Sequence, residues 1–188
     1  RRCFAAFRQL RQFLQFNSGG CFRSLVVPLI HSRLDCGNFV LVGSPIYRQR
    51  LLQSVLNAAA RLTFRLRRGD HITDVLAILH WLRIPERIDY KLAVMAYRSL
   101  HGQSPSYLDV LRRLSVQPGR RQLRSSTSGR VEVPRHRLST IGCRSFPVDA
   151  SLIWNSLPAN IQLSPSLSMF RKQLKTFLFR RSFPDIII

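Results

Sequence analysis

Apolar side chains recur along most of this chain at spacings of three and four residues, the period of an α-helix rather than of a strand. Cys3, Phe7, Leu10 and Leu14 predict a first helix, with Arg8 and Arg11 turned away from its apolar face. A second apolar stretch, residues 22–42, contains Pro28, which lacks the amide a helix needs, and Gly37, so a kinked or split helix is expected. After Gly43-Ser44-Pro45 the pattern predicts a third helix over about 46–66, burying Leu51, Leu52, Val55, Ala58, Ala59 and Leu62. A short helix capped by Asp70 or Thr73 should end near His80-Trp81. Pro85 then opens a helix that has Glu86 and Asp89 in its first turn and runs to Leu100 before Gly102. Two more are predicted over 145–156 and 166–179, the last burying Leu167, Phe170, Leu174 and Phe177 with Leu178 at the edge. Residues 123–133 alone suggest a loop with a short β-hairpin. The expected fold is mainly α: a helical bundle over residues 1–114, then a basic tail over 115–188 with the hairpin and the two C-terminal helices.

The polar positions are less ordinary than the apolar ones. Arg50, Ser54, Asn57, Arg61 and Arg65 fall at spacings of 4, 3, 4 and 4 on the third helix, one stripe without an acid. A plain solvated helix face usually alternates charge sign, so an acid-free stripe fits a phosphate backbone better. Arg67 and Arg68 follow in the next turn, Arg120, Arg121, Arg124, Arg135 and Arg137 are spread through the Ser-, Gly- and Pro-rich tail, and Arg171, Lys172 and Lys175 point largely outward from the last helix. These thirteen cations are the candidate nucleic-acid contacts.

Charge strengthens that reading. The 188 residues carry 30 Lys plus Arg against 9 Asp plus Glu, a formal charge of +21, and 45% of them are apolar, enough for a folded core. A folded surface so charged implies a polyanionic partner, nucleic acid before an anionic membrane. Only Lys91, Lys172 and Lys175 are lysines, and arginine favours planar, bidentate phosphate contacts. Residues 1–63 carry +8, 64–115 carry +4 and 116–188 carry +9, so the flanks are the expected contact surfaces.

Catalytic chemistry finds little support. Two-metal polymerases and nucleases need clustered carboxylates, because cations about 4 Å apart share oxygen ligands. Here no two of the nine acids are adjacent, and the closest pairs, Asp70 with Asp74 and Glu86 with Asp89, fall at helix starts. No phosphate-binding glycine loop, dinucleotide fingerprint or nucleophile elbow is present. Cys3, Cys21, Cys36 and Cys143 form no C-x-x-C pair and are read as buried or incidental thiols of a reducing compartment, nuclear or cytoplasmic. No catalytic residue, metal site or cofactor is expected, and no apolar run approaches the roughly 20 residues of a membrane span. Residues 1–16, basic and amphipathic, also fit the composition of a mitochondrial transit peptide. The chain opens on Arg1-Arg2, which reads as a segment of a longer polypeptide.

Certain runs resemble, in order, the C-terminal part of the reverse transcriptase of LINE-type (non-LTR) retrotransposons of the jockey-like group. They are Phe7-Arg8-Gln9-Leu10-Arg11, Ser32-Arg33-Leu34-Asp35 with Asn38, Leu52-Gln53-Ser54-Val55-Leu56-Asn57 through Leu62, and Asp70-His71-Ile72-Thr73. Leu79-His80-Trp81-Leu82, Arg87-Ile88 with Tyr90-Lys91, Leu100-His101-Gly102 with Pro105 and Tyr107-Leu108, and Leu123-Arg124-Ser125-Ser126 follow. Val133-Pro134-Arg135, Trp154-Asn155-Ser156-Leu157-Pro158, and Phe170 with Leu174 through Phe179 close the set. Pro28 and Pro147 depart from the pattern at positions expected to be helical. The resemblance implies the thumb and post-thumb tail of the polymerase, a thumb-like helical bundle that grips an RNA or DNA template-primer beside upstream polymerase domains bearing the metal site. The alternatives are an interaction or assembly segment and a decayed transposon relic without activity.

Overall fold

The computed structural model describes residues 24–116, 129–138 and 142–185. The fold is mainly α. Residues 24–35 form one helical run made of a π-helical turn, Val27–His31, and α1 (Ser32–Asp35), followed by the 3-10 turn Asn38–Leu41. Then come α2 (Ile46–Phe64), α3 (Thr73–Ile78), α4 (Ile84–Leu100), α5 (Phe146–Ser156), α6 (Ala159–Gln162) and α7 (Leu167–Ser182). Among the described residues the extended pairing is a single antiparallel bridge, Arg113 with Val131. The predicted first helix and most of the predicted hairpin lie outside the described residues. Of residues 129–133, the part that is described, Val131 pairs with Arg113.

Pro28 and Pro147, both at positions expected to be helical, have local solutions. Pro28 lies in the π-helical turn, where wider winding relieves the clash a proline ring makes with the carbonyl four residues back, and its own carbonyl accepts the Ser32 hydroxyl. Pro147 sits in the first turn of α5, where its missing amide would have had no partner anyway. Neither Asp70 nor Thr73 caps α3 with its side chain: Asp70 Oδ2 accepts from the Arg67 amide at 2.7 Å and closes the turn before the helix. The last helix runs to Ser182, three residues past its predicted end, where Ser182 and the following Phe183 are both buried.

Val55 and Ala59 are buried in α2 as expected, but the centre of its buried face is rotated by roughly 70° from expectation. Leu56, Ala59 and Ala60 are fully buried and Val55 nearly so, whereas Leu51, an expected core residue, is 63% exposed and Leu62 only half-buried. Changing Leu56 to Ala should cost roughly 2–5 kcal/mol of stability, while Leu51→Ala should stay within about 0.5 kcal/mol. Urea unfolding of the two variants checks this, and equal costs would contradict the observed phase.

The described chain divides into two compact units: the first runs to Arg87 and includes the chain from Phe179, and the second is Ile88–Leu178. This division rests on packing, whereas a cut at 114/115 rests on composition and charge. In the first unit Arg87 holds Asp35 bidentately, with Nε and Nη2 both donating to Oδ1 and Nη2 also donating to Oδ2 at 2.7 Å. The Trp81 ring meets His31 edge-on at 4.2 Å. Gln53 Oε1 accepts from the Ile84 amide at 2.9 Å and so satisfies a first-turn N–H of α4. Phe179 lies between His80 and Phe183, and the Arg83 guanidinium rests 5.1 Å from the Phe183 centroid.

The second unit is built on Tyr97, Trp154 and Phe170, all buried, with Phe170 centred 4.5 Å from Tyr97 and 5.8 Å from Trp154. Its most specific feature is the treatment of residues 129–132. On one edge this segment bonds like a strand: Leu114 N–H donates to Arg130 O and Glu132 N–H to Arg112 O. Successive backbone groups in an extended chain point to opposite edges, so Val131 directs its own amide and carbonyl the other way. There α5 answers with side chains. Asn155 accepts the Val131 N–H at 2.9 Å and donates to its carbonyl at 2.8 Å, standing in for a peptide group, while Trp154 Nε1 donates to Gly129 O and Ser151 Oγ to Glu132 O.

Candidate nucleic-acid interface

In the first unit the candidate surface is the outer face of α2. With the core at Val55, Leu56, Ala59 and Ala60, a rotation of 100° per residue places Arg50, Ser54, Arg61 and Arg65 on the opposite side, near the line that also contains Tyr47. Arg50, Ser54 and Arg65 are exposed and Arg61 is half-buried, with its Nε enclosed and without a hydrogen-bond partner. The expected stripe loses one member: Asn57 turns its amide oxygen to Gln53, whose other end reaches the start of α4. No acid occurs anywhere in the 19 residues of this helix.

Arg65 ends α2 in the left-handed region, at φ 54°, with the Leu66 amide bonded to Arg61 O and the Arg65 amide to Leu62 O. Glycine usually fills this position, since a Cβ there costs about 1–2 kcal/mol. A cation at a helix C-terminus offsets part of that cost, roughly 0.3–1 kcal/mol through the helix dipole. Arg67 and Arg68 follow, both exposed, in the turn that Asp70 closes.

In the second unit Arg171, Lys172 and Lys175 are all exposed on α7, whose buried face carries Phe170, Leu174 and Leu178. Arg171 lies close enough to Tyr90 to oppose the upward push that burial gives this phenol. Arg135 and Arg137 are exposed on the chain that leaves the clamped segment. Arg120, Arg121 and Arg124 lie outside the described residues. The described cations thus fall in both units, Arg50 through Arg68 in the first and Arg135 through Lys175 in the second.

Pattern reading passed over Tyr47, the aromatic residue at the start of the same face. The residue is 55% exposed, Arg48 Nε donates to its hydroxyl at 3.1 Å, and the guanidinium carbon of Arg48 stands 5.8 Å from the ring centroid. The available signal was spacing: Tyr47, Ser54 and Arg61 are separated by seven residues each, 20° short of two turns.

Among the described residues no three His, Cys, Asp or Glu side chains come together in a way that could hold a metal ion, and no helix is long and apolar enough to cross a membrane. Cys36 is an exposed free thiol. Burial pushes the Asp149 carboxyl up from its ordinary value against the pull of Arg144 and His136, and its Oδ2 is enclosed without a hydrogen-bond partner in the first turn of α5. Comparison of the chain with protein families, with curated proteins and with solved structures gives no match.

Proposed function

We propose that this chain is a non-catalytic module that grips RNA or DNA through phosphate contacts, equivalent to the thumb and post-thumb region of a LINE-type reverse transcriptase whose metal site lies in upstream polymerase domains. The supporting observation is the outer face of α2, where arginines at the spacing of the helix project from a 19-residue element without an acid. Guanidinium groups in a row meet successive phosphates and release their condensed counterions, which gives affinity without base specificity. Arg65 adds weight, because a bulky cation stands where glycine would be easier. The outward cations of α7 provide a similar, shorter row.

Changing Arg50, Arg61 and Arg65 together to Gln should weaken binding of labelled RNA and lower the slope of log K against log salt by roughly 0.7 to 0.9 for each phosphate no longer neutralised, with the circular dichroism melt little changed. Filter binding over a salt series reads both quantities. An unaltered slope would show that α2 is only a solvated face, and a parent protein whose binding ignores salt would favour an assembly segment over a nucleic-acid grip.

A further inference from the structure

Phosphate contacts alone do not distinguish a single strand from a duplex, yet the outer face of α2 is not purely cationic. Tyr47 is 55% exposed and fixed beside Arg48 by a hydrogen bond to its hydroxyl and by the cation near its ring. Leu51, the next residue along that face, is 63% exposed. From Tyr47 the line of the helix passes Ser54 to Arg61, a rise of about 21 Å at 1.5 Å per residue. An aromatic face at one end of a row of arginines is of no use to a duplex held by its backbone, because stacked bases present only their edges. It suits a strand whose bases are free to leave the stack.

We infer that α2 binds single-stranded nucleic acid, with a base stacked on Tyr47 and the following phosphates carried along Arg50 and Arg61. The inference rests on the nucleic-acid reading proposed above and narrows it to unpaired strands. The occupant follows from charge and shape together: an acid-free face excludes a basic partner, and apolar side chains mixed among arginines, rather than segregated from them, match the alternation of base and phosphate along a strand. The Arg48 contact limits the rotamers of the tyrosine before binding, so less freedom is lost when a base arrives.

The test compares the parent chain with Tyr47→Ala and Tyr47→Trp, using a labelled RNA of roughly 16 nucleotides, the upper end of known single-strand site sizes, free and annealed to its complement. Tyr47→Ala should weaken the single strand by about 5- to 100-fold and the duplex by less than about 2-fold, and Tyr47→Trp should restore single-strand binding. Tyr47 is exposed in the first turn, so the fold is expected to survive, and a circular dichroism melt confirms that before binding is compared. If Tyr47→Ala leaves the ratio of single-strand to duplex affinity unchanged while the triple arginine variant still weakens both, stacking is overturned and the phosphate grip stands. Failure of the parent to bind either RNA overturns both readings. Tighter binding to vesicles containing phosphatidylserine than to RNA, abolished in Tyr47→Ala, would overturn the inference in favour of a lipid surface.

Discussion

Replacing Trp154 with Ala should cost about 3–5 kcal/mol of stability, a large share of the roughly 5–15 kcal/mol that keeps a small domain folded. The side chain is 1% exposed, and its removal opens a cavity against Phe170 while taking away the donor that Gly129 O receives at 2.7 Å. These two effects can be separated. Trp154→Phe keeps most of the packing and drops only the indole N–H, so its cost should be closer to 1 kcal/mol, near the net value of one hydrogen bond. Asn155→Asp asks a related question of the neighbouring contact, since a carboxylate still accepts from the Val131 amide but cannot donate to its carbonyl. Thermal melts of the three variants should rank Trp154→Ala as the most damaging. A Trp154→Phe cost equal to that of Trp154→Ala would place the energy in the hydrogen bond rather than in the core. Because the clamped segment leads directly into Arg135 and Arg137, loss of the clamp should also scatter those cations.

The elements that sequence located well are those whose ends carry their own chemistry. Pro85 opens α4 and Gly102, at φ 63°, closes it with the Gln103 amide bonded to Arg98 O, so both ends are fixed within a few residues of chain. Ser145 and Pro147 likewise mark the start of α5. The phase of α2 was less legible because Ala58, Ala59 and Ala60 carry little directional information and because a polar residue, Gln53, turns inward to serve the amide of Ile84, 31 residues away. No local pattern encodes such a partner. The same limit applies to the runs that resemble the family: Asp35 and Arg87, far apart in the chain, are the two halves of one ion pair, and the Trp154 to Pro158 run is a clamp followed by the residue that opens α6. Their physical role in this chain is to hold the fold. The candidate grip was legible as an acid-free stripe, while Tyr47 was not, since an aromatic at an apolar helix start reads as core until its exposure is known.

The ion pair of the first unit supports a prediction that joins stability to pH. Arg87→Met should cost about 2–3 kcal/mol at pH 7.5, less than the 3–5 kcal/mol of a wholly buried pair, because the Asp35 side chain keeps 28% of its exposure and can recover some water. Arg87 also lies 3.3 Å from His31 Nδ1. Burial, and after it the Arg87 charge, lower the His31 pKa from 6.5 to about 4, with Asp35 pulling the other way. The folded chain therefore binds fewer protons at His31 than the unfolded chain between these values. The stability that comes from keeping this ring neutral is fully present above pH 6.5 and is lost as the pH falls through about 4. Removing Arg87 takes away one of the two lowering causes, so the His31 pKa moves back upward and the acid-induced loss shrinks. The Arg87→Met penalty measured by urea unfolding should consequently be smaller at pH 5 than at pH 7.5, a window above the ordinary range of carboxylates. In a His31→Gln background the difference between the two pH values should disappear. A penalty that stayed the same at both pH values in the parent background would mean that Arg87 acts on Asp35 alone.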